Sequence, residues 1–139
     1  MVTATAMSEV VTLLMGERTK LAHHLQLTAA KVSKAVTDES DASEAVRTTK
    51  AQLTQVEAER LITASTEGVL SGSNEKVRAA QLAAYLPNCA DWSEANEDYL
   101  YAVSRHEVAK AALQSATTQY SAARAECGML EAAMRMLAN

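Results

Sequence analysis

DWSEANEDYLYAVSRHEVAKAALQSATTQYSAARAECGMLEAAMRML, residues 91–137, repeats one seam every seven residues and contains no proline and a single glycine. One row of the seam is Trp92, Tyr99, His106, Leu113, Tyr120, Cys127 and Met134. The second, three residues on, is Ala95, Ala102, Ala109, Ala116, Ala123, Leu130 and Leu137. No acidic residue, lysine or arginine falls on either row. A heptad held this long predicts an α-helix packed lengthwise against another helix. Such a helix is about 70 Å long at about 1.5 Å per residue, beyond what a lone compact domain covers. Alanine in one row draws the partner backbone toward the low end of the roughly 8–10 Å interaxial range. Each alanine layer buries little area, so stability must come from many layers or several chains.

Working back toward the start, Met7, Val11, Leu14, Arg18, Leu21, Leu25, Thr28, Val32 and Ala35 alternate at spacings of four and three, the mark of a second amphipathic helix. The frame continues through Ala42, Val46, Thr49, Leu53, Val56, Arg60 and Thr63. Residues 37–41, Thr-Asp-Glu-Ser-Asp, are poor helix formers. Either the helix is continuous and strained there, or it breaks and restarts with Asp41 as N-cap and Glu44 completing a capping box. The retained frame favours one long helix over about 5–66, with 37–41 as the place for a kink. Arg18, Glu39 and Arg60 interrupt this seam and threonines replace leucines in it.

Between the two long helices, Gly68, Ser71, Gly72 and Ser73 predict a helix end and a loop over 67–73. Ser73 or Asn74 can cap a short helix, 74–86, that stops before Pro87. Asp91, with Glu94 at the capping-box position, is expected to cap the last helix over 91–137. The fold class is therefore all-α: one helical domain, 1–139, built as an elongated hairpin or coiled coil of two long helices joined by a loop and a short helix.

Composition narrows the function. Thirteen lysines and arginines stand against 17 acidic residues, a net charge of −4, which argues against a surface broadly built to neutralise phosphates. Cys89 and Cys127 form no C-x-x-C motif and supply neither a four-thiolate zinc site nor a disulfide framework. The apolar run 10–15 is too short to span a bilayer, and Glu9 precedes it where a signal peptide carries positive charge. A soluble protein kept in a reducing cytoplasm is the expectation, with no membrane partner.

No catalytic, cofactor-binding or metal site is expected. A di-iron bundle needs Glu-x-x-His on two helices, and no histidine here has a glutamate three residues before it. His23 and His24 are adjacent and point about 100° apart on a helix, the wrong geometry for joint ligation. His106 lies in the seam, where a polar layer sets register or oligomer number. Cys127 reads as a small core residue. No nucleophile elbow or phosphate-binding glycine loop occurs.

Two interaction features remain. Lys20, His24, Lys31 and Lys34 fall within about a quarter-turn of one another on a helix, a thin basic stripe diluted by Glu17 and Asp38. Lys76 and Arg78 add charge on the short helix. Tyr101, Val108, Ala122, Met129 and Met136 form a further row on the last helix, about 100° from the alanine row. One neighbour cannot cover both faces, which favours self-association into a homo-oligomer.

The segment 61–82, LITASTEGVLSGSNEKVRAAQL, with its Gly-x-Asn-Glu-x-x-Arg text at 72–78 and the long helix after it, resembles the small phage-encoded recombination mediators of the UvsY type over about half the chain. That resemblance implies a helical protein that oligomerises, binds single-stranded DNA and helps to load a strand-exchange recombinase. It makes Asn74, Lys76 and Arg78 the loop-helix positions expected at a nucleic-acid contact, beside the stripe of Lys20, Lys31 and Lys34. A coiled-coil adaptor or inhibitor of another protein is the alternative expectation.

Overall fold

The computed structural model describes residues 3–139. All regular structure among them is helical: α1 (Ala4–Thr66), α2 (Glu75–Tyr85), a 3₁₀ turn (Leu86–Asn88) and α3 (Ala90–Ala138). Two long helices joined by a loop and a short helix are thus what the heptads predict.

Helix α1 is unbroken through 37–41, so Asp41 is not an N-cap. Lys34 Nζ donates to Asp38 Oδ2 at 2.8 Å, a pairing one turn apart that returns only a few tenths of a kcal/mol, and Glu39 bonds His106 of the facing helix. The helix ends where Gly68 adopts φ +77°. Val69 N donates to Ala64 O and Gly68 N to Ser65 O, the bonds of a left-handed glycine cap.

Asn74 caps α2, its Oδ1 accepting from Val77 N at 2.9 Å. Gly72 sits against Val77 so closely that an added Cβ collides with that side chain, which explains glycine at this loop position. Pro87 then tightens the chain into the 3₁₀ turn, and Cys89 is extended (φ −92°, ψ 118°). That geometry starts α3 at Ala90, with Ser93 N donating to Cys89 O. The expected N-cap at Asp91 is therefore corrected: Asp91 lies inside the first turn, and its carboxylate faces α1 instead.

The chain divides into two compact units. One joins the residues as far as Asp38 with Lys110–Asn139, and the other is Glu39–Ala109. In the first unit the buried residues are Thr28, Ala35, Ala116 and Ala123. In the second they are Leu53, Ala64, Leu86, Cys89 and Ala102. Apart from Leu53 and Leu86 these are small side chains, as two helix backbones in close approach require. Within the second unit the helices run antiparallel, since Arg60 meets Asp91, Glu57 meets Trp92, Lys50 lies over the Tyr99 ring and Glu39 meets His106.

Candidate functional site

Every seam position of α3 is shielded except the last. Trp92, Tyr99, His106, Leu113, Tyr120, Cys127, Leu130 and Met134 are half-buried, Ala102, Ala116 and Ala123 are buried, and Leu137 near the helix end is exposed. Of the α1 frame, Val11 and Arg18 are exposed, whereas Glu39 and Arg60 are half-buried.

Those two interruptions have charged or polar partners across the helix pair. Arg60 Nε donates to both Asp91 carboxylate oxygens at 2.9 and 3.0 Å. This hydrogen bond holds the Asp91 carboxyl below the usual carboxylate range, helped by the Trp92 N–H that donates to Oδ1. Burial pushes the phenol of nearby Tyr85 up. Trp92 Nε1 donates to Glu57 Oε1 at 3.2 Å. At the other end of the second unit His106 Nε2 lies 2.8 Å from Glu39 Oε1, both side chains about a quarter exposed. A carboxylate is acceptor-only, so the ring N–H donates. Sequence reasoning placed His106 in the seam and missed its partner. The signal was available, because Glu39 and Arg60 occupy core positions of their frame and a core carboxylate or guanidinium requires a counter-group.

Cys89 is buried and its Sγ lies 3.7 Å from the Tyr85 carbonyl, the environment of a structural thiol. Among the described residues no group of three or more histidine, cysteine and carboxylate side chains is placed to hold a metal ion. No helix among them is long and apolar enough to cross a membrane. A groove of about 320 Å³ in the second unit is lined by Gln52, Gln55, Glu59, Asp91, Glu94 and Asp98, with Val56 and Ala95. Of its four carboxylates Asp91 is paired with Arg60, and the other three leave the groove acidic, which disfavours a phosphate backbone there.

The cationic candidates are mostly engaged. Lys20 pairs with Glu17 at 3.4 Å and Lys34 with Asp38 at 2.8 Å. Asn74 is the α2 cap, and Arg78 Nη1 donates to Gly72 O at 3.2 Å. Lys31 and Lys76 make no hydrogen bond or ion pair with the described residues. Exposed pairs one turn apart contribute only a few tenths of a kcal/mol, so Lys20 and Lys34 can still turn to another anion. Lys20, Lys31 and Lys34 belong to the first unit, and Asn74, Lys76 and Arg78 to the second.

The remaining apolar row of α3 is exposed to solvent. In the first unit Met129 is 74% and Met136 79% exposed, and in the second Tyr101 is 65% and Val108 67% exposed. No protein family, curated protein or solved structure matches the chain.

Proposed function

We propose that the protein is a non-enzymatic, self-associating helical scaffold, acting as an accessory factor of phage DNA recombination or replication. The observation that carries this reading is the pair of distinct faces on α3. One face is shielded within the chain, and the other leaves Met129, Met136, Tyr101 and Val108 to solvent. The mechanism is presentation. An oligomer repeats weak cationic sites, Lys31 and Lys76 foremost, so that avidity supplies an affinity for single-stranded DNA that one subunit lacks. Support for the nucleic-acid part comes from the resemblance of residues 61–82 to recombination mediators and from these two uncommitted lysines.

The second reading is a coiled-coil adaptor that binds a host or phage protein through the same exposed face. It is favoured by the intramolecular engagement of Lys20, Lys34 and Arg78. Light scattering after size exclusion, with and without a fluorescent single-stranded oligonucleotide in low and moderate salt, separates the two. A defined oligomer whose DNA complex weakens with salt supports the mediator reading. An oligomer that ignores DNA in low salt overturns it in favour of the adaptor.

A further inference from the structure

Resting on the self-association reading, we infer that two copies of the chain pair antiparallel through the outer face of α3 within the first unit, about a two-fold axis between residues 123 and 124. The outer face carries a second heptad frame, offset from the buried one. It comprises the positions 111, 115, 118, 122, 125, 129, 132 and 136, alternately four and three apart, none charged and all exposed. An uncharged run of this spacing is the pattern of a helix-pairing seam.

The occupant follows from self-complementarity. When residue i of one copy faces residue 247 − i of the other, Met136 packs on Ala111 and Met129 on Thr118. Ala122 then meets Ala125, and Ser115 meets Ala132. Each methionine falls against a small residue, the interdigitation that fills a seam without voids. A parallel pairing stacks methionine on methionine and serine on serine instead. The positions flanking the seam, whose facing numbers sum to 245 on one side and 249 on the other, agree with the antiparallel register: Glu126 faces Gln119 and Arg135 faces Gln114, so each flanking charge meets an amide and no like charges oppose there. Glu126 and Arg135 have no hydrogen bond or ion pair within the described residues, so pairing breaks no existing bond. Eight layers along about 38 Å of helix place the interface near the low end of the roughly 1,200–2,000 Å² of specific contacts. A dimer that dissociates on dilution is the consequence.

The test uses the full chain. Light scattering is run on wild type, Met129→Glu and Ala122→Glu across a concentration series, with helix content followed by circular dichroism. Both substituted sites are exposed, so helicity is expected to persist while dissociation rises at least about tenfold, a carboxylate being buried in each seam layer. Separately, oxidation of a mixture of Ala111→Cys and Met136→Cys chains is read by peptide mass. A link between 111 and 136 supports the antiparallel register. Links joining 111 to 111 overturn it. An oligomer indifferent to both glutamates overturns this face while leaving self-association standing, and a wild-type monomer throughout the series overturns both.

Discussion

Leu53→Ala measures how much of the second unit depends on a core one side chain thick. Leu53 is 4% exposed, and of the large side chains on α1 and α3 it alone is buried. Removing three carbons at about 0.8 kcal/mol each forfeits about 2.4 kcal/mol of transfer free energy. A cavity adds to this in a rigid core, where such truncations cost about 2–5 kcal/mol. Here Val56 and Thr49 one turn away are half-buried, so water and side-chain motion relieve the void, and the expected loss is about 2.5 kcal/mol. For a chain of this size that lowers the unfolding midpoint by about 8 °C. Urea titration followed by circular dichroism, with a thermal scan beside it, reads both quantities. Leu100→Ala is the control, since Leu100 is 56% exposed in the same unit and its truncation should stay within about 0.5 kcal/mol. If Leu53→Ala costs no more than Leu100→Ala, the antiparallel pairing of α1 with α3 in that unit is wrong.

Glu39→Leu or His106→Leu alone leaves its half-buried partner without a counter-group and should cost about 1–2 kcal/mol, whereas the double variant should recover most of that loss. Additive losses in a urea-based double-mutant cycle would refute the pairing. Asp91 is expected to set part of the acid limb of stability. Its carboxyl is held below the usual range by Arg60, so its stabilising contribution is complete above the ordinary aspartate value of about 4 and disappears as pH falls through the lowered native value. Asp91→Asn should therefore flatten the stability profile below about pH 4, and an acid limb identical to wild type in urea midpoints would count against the Arg60–Asp91 contact.

The heptad of 91–137 made α3 and its buried face legible, because a seven-residue repeat fixes which side of a helix is covered. It said less about ends and partners. Asp91 and Glu94 satisfy the capping pattern in sequence, but Pro87 draws the preceding residues into a 3₁₀ turn and moves the start of α3 to Ala90. Residues 37–41 are poor helix formers, but the retained frame already favours one continuous α1 through them, and the structure adds the partner the frame could not name, Glu39 bonding His106 from the facing helix. Tertiary partners override local preference there. Glu39 and Arg60 looked like flaws in a poor seam only while α1 was read alone. In an antiparallel pair of helices the layer-by-layer sums place one opposite His106 and the other opposite Asp91. Polar positions of this kind resist register slippage more strongly than another leucine could, since a slip strands a charge.

The outer row of α3 raises the converse problem. A solvent-facing helix row ordinarily carries charge, and residues 110–138 do not lack it: Lys110, Arg124, Glu126, Glu131 and Arg135 all occur there. Each lies off both heptad frames. Charges are therefore excluded from the exposed frame as fully as from the buried one, although water imposes no such exclusion. Thr118 on that row returns its hydroxyl to the Gln114 carbonyl, which leaves its methyl outward and the row apolar in character. An exposed seam with these properties weakens solubility while contributing nothing to the folded subunit. That combination is expected when a second surface covers the row. The alternation of methionine with small residues is what allows that surface to be the same helix reversed.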